Sequence, residues 1–281
     1  MPELPEVETV RRGLAPAFEG RRILSVDVRR PDLRFPFPHQ FATRIAGAEV
    51  SRMGRRAKFL TADLSSGETL VMHLGMTGRF TIDGAMPGQF AHNTGTDPKH
   101  DHVVFSLSGG VKVTYNDPRR FGFMELWPTP SFESYPRLTD LGPEPLSNRF
   151  SLAYLNEVLK GRKTPIKAAL LDQSVIAGLG NIYVCEALFR SGISPRRAAS
   201  TVPGTRAERL FPAINSVIAE AIEAGGSSIS DFASASGELG YFQHNFDVYG
   251  REGEPCNTCG STIKRVVQSG RSSFFCGGCQ R

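Results

Sequence analysis

The chain has 281 residues, of which 40% are hydrophobic and 22% charged, the balance of an ordinary soluble globular protein with room for two domains. No run approaches the roughly 18 apolar residues of a membrane span, and the N-terminus lacks the basic stretch and apolar core of a secretion signal, so a cytoplasmic protein with no membrane partner is expected. The net charge of +5 is mildly basic, and its distribution is more informative than its total.

The chain opens with MPELPEVETV, which holds two prolines and three glutamates in ten residues. Val7, Val10 and Leu14 fall on one helical face. Acids lie early and Arg11 and Arg12 late, as the helix macrodipole favours, and Pro5 suits a first turn. The next stretch, to about residue 130, reads as β. Residues 57–64 and 68–74 flank the turn signal Ser65-Ser66-Gly67, and residues 103–107 and 111–115 flank Ser108-Gly109-Gly110. Apolar residues alternate there as in half-buried hairpins. A Pro-rich stretch from Pro128 to Pro145 reads as a linker.

Periodicity then becomes helical, at Leu152, Leu155 and Leu159, at Ile182, Cys185 and Phe189, and from Leu210 to Ile222. Thr205 and Glu208 resemble a capping box, although Pro212 argues for a later helix start. Gly225-Gly226 ends that helix. Residues 225–237, GGSSISDFASASG, read as a flexible loop, and such a loop between ordered parts can serve as a lid. Three basic clusters contain no acid along the chain: Arg52, Arg55, Arg56 and Lys58; Lys160, Arg162, Lys163 and Lys167; and Lys264, Arg265, Arg271 and Arg281. Solvated loops would explain them, and so would a polyanionic partner.

The strongest local signal is Cys256-x2-Cys259-x16-Cys276-x2-Cys279. Two CxxC pairs at this spacing match a four-cysteine zinc site, and four thiolates leave no open coordination position, so the one Zn²⁺ expected is structural. Disulfides are the alternative, but nothing indicates an oxidising compartment. Between the pairs, STIKRVVQSGRSSFF reads as a hairpin around Ser269-Gly270 with Arg271 beside the turn. Cys185, on an apolar helical face, reads as a core residue.

Several separated segments resemble one family in order along nearly the whole chain. They are PELPEVETVRRGL, HLGMTGRF, KHDHVVF, DPRRFG, GLGNIYVCEALF, GGSSISDF, and the terminal GEPCNTCGS with FFCGGCQR. Together they resemble bacterial formamidopyrimidine-DNA glycosylases, which repair oxidised purines. The resemblance implies an α+β multidomain fold. It would comprise an N-terminal two-layer β-sandwich with flanking helices (1–133), a linker (134–150), a helical domain with a helix–two-turns–helix element (151–239), and a zinc finger (240–281). A lesion-covering loop would span 225–242. The implied partner is double-stranded DNA containing oxidised purines or abasic sites, handled by a monomer associated with the bacterial nucleoid.

The resemblance also implies that Met1 is removed and that the secondary amine of Pro2 is the nucleophile. An α-amino group titrates near 8, so part of it is unprotonated at neutral pH without any special environment. Glu3 would be the matching acid and Glu6 a support. Lys58 and Arg271 would hold phosphate near the reacting sugar. Met76, Arg119 and Phe121 would fill the gap left by an extruded nucleotide, and Asn181, Lys163 and Tyr249 would contact DNA. Glu238 and Tyr241 lie in the lesion loop. Glu238 stands where many members carry a basic residue, which bears on the choice between 8-oxoguanine and ring-opened purines. The endonuclease VIII branch usually has Gly after the first Pro-Glu; Leu4 argues against it. A non-catalytic zinc-hairpin DNA-binding protein would explain the cysteines and the charge, but makes no demand on Pro2 or Glu3. Segment 83–98 is assigned no role.

Overall fold

A computed structural model describes residues 2–83, 97–227 and 242–281. Two compact units are present. One comprises Met1–Thr139 with Ala224–Tyr241, the other Asp140–Glu223 with Phe242–Arg281.

The first unit begins with α1 (Leu4–Phe18), β1 (Ile23–Val28), α2 (Phe41–Ile45), β2 (Val50–Arg56), β3 (Phe59–Leu64) and β4 (Glu68–His73). It continues with β5 (Arg79–Asp83), β6 (Asp101–Leu107), β7 (Lys112–Asn116) and β8 (Phe123–Pro128). The strands form two four-stranded antiparallel sheets, in the orders β1-β6-β7-β5 and β2-β3-β4-β8. Both sheets contribute to one core. Leu60, Leu70 and Met72 from one meet Ile23, Phe105 and Val113 from the other, and α1 adds Val7, Val10 and Leu14. This is the expected β-sandwich, with the helical face of the opening segment as its anchor.

The Pro-rich stretch begins in the first unit as packed structure. Tyr135 is buried, stacks on Phe132 and packs against Trp127. Its burial, and then its hydrogen bond to Glu125, push its pKa well above the ordinary tyrosine range, so the hydroxyl stays protonated.

The second unit holds α3 (Leu152–Leu159), α4 (Ile166–Leu171), α5 (Asn181–Arg190) and α6 (Thr205–Glu223), followed by the hairpin β9 (Ile263–Gln268) and β10 (Arg271–Cys276). α6 begins at Thr205 and runs through Pro212, so the proline does not delay its start. The apolar face Leu210, Ile214, Val217, Ile218 and Ala221 is buried, which offsets the hydrogen bond that proline cannot donate. Cys185 and Phe189 of α5 pack in one cluster with Cys256, Ile263 and Cys276, so the hairpin is seated on that helix, and Cys185 is a core residue as read. Among the described residues, no helix is long and apolar enough to cross a membrane.

Candidate active site and metal centre

The chain end is held from its second residue. Pro2 is buried, and Glu3 and Glu6 are 3% and 2% exposed. Glu3 is the N-cap of α1 and forms a reciprocal capping box with Glu6; the Glu3 N–H donates to Glu6 Oε2 at 2.9 Å. The other Glu6 oxygen accepts from both the N–H and the hydroxyl of Ser227, each at 2.9 Å. Gly226 lies against Glu6 so closely that a Cβ there would sit 3.1 Å from Oε1, at a φ of +80°. The start of α1 and the segment 226–227 are thus clasped by one carboxylate.

One turn further along α1, Glu8 binds Arg11 and Arg12 of its own helix and Arg55 of β2, at 2.9–3.2 Å. Burial opposes its ionisation, but the hydrogen bonds and charges of these arginines hold the carboxyl near pKa 2. The run Arg52–Lys58 is therefore acid-free along the chain but not in space: Arg52 also pairs with Asp63. Lys58 occupies, with Ala57 (φ +51°), the two-residue turn between β2 and β3, and is only 7% exposed. His73, at the end of β4, is stacked on Phe123 with ring centroids 5.2 Å apart, and its Nδ1 accepts the Gly75 N–H at 3.0 Å. Burial first, then the charges of Lys58, Arg34 and Arg137, push its pKa down to about 4, so the ring is neutral and presents Nε2–H. No motif in the sequence marked His73 beyond its place in HLGMTG.

Met76 and Phe121, which alternation alone would assign to strand core, are 40% and 42% exposed. They sit on adjacent turns, 74–78 and 117–122, whose backbones touch: a Cβ on Gly75 would lie 2.3 Å from the Phe121 carbonyl carbon. The Arg119 guanidinium lies 4.6 Å over the Phe121 ring. An exposed thioether and an arginine-backed phenyl ring project together, as an apolar wedge requires.

In the second unit, Asn181 is the first residue of α5, after Gly180. Its Nδ2 donates to the Ser272 carbonyl at 2.9 Å, beside the exposed Arg271. Lys167 donates to the same carbonyl and to Ser273 Oγ, each at 2.8 Å, and is 1% exposed. Lys167 therefore leaves the solvent-facing basic cluster of the sequence and becomes an internal brace, whereas Lys163 stays exposed. Tyr249 packs edge-on against Phe274 of β10 at 5.0 Å. Its segment is fixed by Glu186, whose carboxylate accepts the N–H groups of Asp247, Val248 and Tyr249 at 2.8–3.1 Å. Burial raises the Glu186 pKa, and these three donors counter part of that rise. Neither Lys167 nor Glu186 could be assigned such a role from sequence, because their partners lie far along the chain. Glu238, Tyr241 and nearly all of 225–242 and 83–98 lie outside the described residues.

The four sulfurs of Cys256, Cys259, Cys276 and Cys279 lie within 4.8 Å of one another. Cys256 to Cys279 is 3.9 Å and Cys259 to Cys276 is 3.4 Å. These separations are too long for disulfides and close to the roughly 3.8 Å between thiolates bound tetrahedrally to zinc at about 2.3 Å. A Cβ on Gly278 would come within 3.2 Å of Cys259 Sγ, so a bare backbone closes the cradle. The donor set fits one structural Zn²⁺.

Comparison with known proteins agrees along the whole chain. Residues 1–124 match the formamidopyrimidine-DNA glycosylase N-terminal domain, 141–233 the formamidopyrimidine-DNA glycosylase H2TH domain, and 253–281 the zinc finger found in FPG and IleRS. The formamidopyrimidine-DNA glycosylase of Ruegeria pomeroyi is 60% identical over 283 residues, covering all of both chains. The Lactococcus lactis Fpg in complex with DNA containing an abasic site has a TM-score of 0.87 at 32% identity, covering 99% of each chain. The G226P mutant of that enzyme, in complex with DNA containing Fapy-dG, also has a TM-score of 0.87 at 32% identity, covering 100% of each.

Proposed function

The chain belongs to the formamidopyrimidine-DNA glycosylase family, and we infer that it excises oxidised purines from duplex DNA and then breaks the strand at the abasic sugar. It is a base-excision repair enzyme with glycosylase and lyase activities. The observation that carries the catalytic assignment is the clasped chain end: a buried Pro2 beside a Glu3 whose backbone is held by Glu6.

Removal of Met1 frees the Pro2 secondary amine. Its lone pair attacks sugar C1′, the glycosidic C–N bond breaks, and the base leaves with a proton. As Glu3 protonates O4′ the C1′–O4′ bond breaks and the ring opens, and the cationic iminium so formed draws electrons from C2′. Loss of a C2′ proton expels the 3′-phosphate, a second elimination expels the 5′-phosphate, and water releases the amine. Glu3 supplies and accepts protons at the opening sugar ring. Lys58 and Arg271 neutralise phosphates flanking that sugar, and Asn181, Lys163 and Tyr249 bind the DNA backbone. Met76, Arg119 and Phe121 occupy the gap left by the extruded nucleotide. The bound zinc supplies folding free energy to the hairpin bearing Arg271, and no chemical step. Acting on DNA, the protein would work beside the bacterial chromosome in the cytoplasm.

Incubation with a duplex containing 8-oxoguanine opposite cytosine, followed by borohydride, tests the assignment. A reduced adduct mapped to Pro2 supports it. An adduct on a lysine, or tight binding with neither adduct nor strand break, overturns it. A Met1-retaining or N-terminally tagged form is expected to bind DNA and leave it uncut.

A further inference from the structure

Asp117 heads the DPRRFG segment and is fully buried. Its carboxylate is satisfied by neutral donors from three segments. Oδ1 accepts the Thr77 hydroxyl at 2.5 Å; Oδ2 accepts the Gly122 N–H at 2.9 Å and the Tyr115 hydroxyl at 3.3 Å. Thr77 in turn accepts the Arg119 N–H at 3.3 Å. The backbone of Asp117 is pinned as well. Its N–H donates to His100 O at 3.0 Å, and its carbonyl accepts from His102 Nε2 at 2.9 Å and from the Arg120 N–H at 3.2 Å.

The turns that meet at this carboxylate carry Met76 on one side and Arg119 and Phe121 on the other. Both are tightly constrained. Arg120 has a φ of +55°, a conformation that a non-glycine residue holds only when its surroundings impose it. A Cβ on Gly122 would lie 1.9 Å from the Tyr115 hydroxyl oxygen, and one on Gly78 would lie 2.3 Å from the same atom.

We propose that Asp117 is a positioning residue that locks the turns 74–78 and 117–122 into one rigid wedge, presenting Met76, Arg119 and Phe121 to the base stack already ordered. The proposal rests on the reading of those three side chains as the gap-filling group. Two loose turns would have to lose conformational freedom during insertion, which would raise the cost of that step and leave the chemistry at Pro2 untouched. A carboxylate is suited to the task because it accepts on both oxygens at once and can bind all three donors together.

Asp117→Ala would strand several buried donors and can unfold the sheet, so the decisive variant is Thr77→Val. It keeps the shape of the side chain and removes the hydroxyl that joins Asp117 to the Arg119 backbone. Thr77→Ser restores that hydroxyl, and Phe121→Ala reports on the wedge itself. Insertion is followed by 2-aminopurine fluorescence in a duplex with the probe beside the base opposite 8-oxoguanine. Chemistry without a stack is followed by borohydride trapping on a single-stranded abasic oligonucleotide.

The expected result is that Thr77→Val lowers the fluorescence rise and cuts duplex kcat/KM about tenfold, as for one orphaned buried acceptor. Thr77→Ser should behave as wild type, and single-strand trapping should stay within about twofold for both Thr77 variants. If Phe121→Ala lowers the signal and Thr77→Val does not, the locking role is refuted and the wedge reading stands. Equal losses by Thr77→Val on duplex and single strand would refute it too, as a general folding defect. If Phe121→Ala leaves the signal unchanged, the wedge reading fails and the proposal with it.

Discussion

Replacing Glu8 by Gln should cost about 2 kcal/mol of stability at pH 7 and almost nothing at pH 2. In the folded chain the Glu8 carboxyl titrates near 2 instead of its ordinary 4.5. That difference corresponds to about 3 kcal/mol of preferential stabilisation of the ionised form. The Glu8 side chain is 13% exposed, but Arg12 beside it is 57% exposed and well hydrated, so part of the interaction is screened; about 2 kcal/mol is the discounted figure. Glutamine keeps one acceptor oxygen but turns its NH₂ toward guanidinium groups that can only donate.

Because the folded pKa is depressed, the contribution is fully present above pH 4.5 and disappears as pH falls through about 2. Glutamine does not titrate, so the gap between wild type and variant is flat from pH 8 to about 5 and closes below that. The chain has a single tryptophan, Trp127 of β8, in the same unit as Glu8. Urea unfolding followed by its fluorescence therefore reports the relevant unit and not the zinc hairpin. A difference below about 0.5 kcal/mol at pH 7, or one that does not shrink between pH 5 and 3, would refute the assigned electrostatics.

Other consequences are open to measurement. His73 should be the neutral Nε2–H tautomer in nitrogen NMR at pH 6, since its pKa lies near 4; a protonated ring at that pH would contradict the surroundings described for it. Chelation at neutral pH, or Cys276→Ser, should release one zinc per chain and abolish DNA affinity together with the near-ultraviolet signal of the hairpin aromatics. Retained affinity after proven zinc loss would remove the hairpin from the DNA contacts. DNA binding should weaken with salt with a log–log slope of roughly −5 if about six phosphates are neutralised, and a slope near zero would exclude the proposed backbone contacts. Glu238→Lys should change the ratio of rates on 8-oxoguanine and ring-opened purines, and an unchanged ratio would exclude a role for Glu238 in lesion choice.

How far the fold could be read from sequence follows the sheet topology. The four strands recognised from alternation are β3, β4, β6 and β7, the central strands of the two sheets. Those not read, β1, β2, β5 and β8, are all edges. A central strand has neighbours on both sides and fills its inward positions with apolar residues, so its periodicity is clean. An edge strand such as β1, ILSVDV, has one buried residue out of six, which gives alternation little to act on. The four cysteines were legible because each CxxC pair is self-contained, whereas the roles of Pro2, Glu3 and Glu6 were implied by the family resemblance and not by their spacing. The groups that brace the site were not legible. Glu8 meets Arg55 across 47 residues and Lys167 meets Ser272 across 105; such pairs leave no spacing signature. The same distance effect made the basic runs look freer than they are.

The bond between Glu6 and Ser227 spans 221 positions. A chain emerging from the ribosome exposes Pro2 first and can close the Glu3–Glu6 turn at once, because that turn is local. Ser227 arrives only after both sheets and α6 have been synthesised. The chain end proposed to react is thus the first part of the protein made, and its bond to Ser227 can form only late in synthesis. Nascent or truncated chains that stop before residue 227 carry the proposed nucleophile without the Ser227 half of its clasp, a built-in delay between having the proposed reagent and being able to aim it.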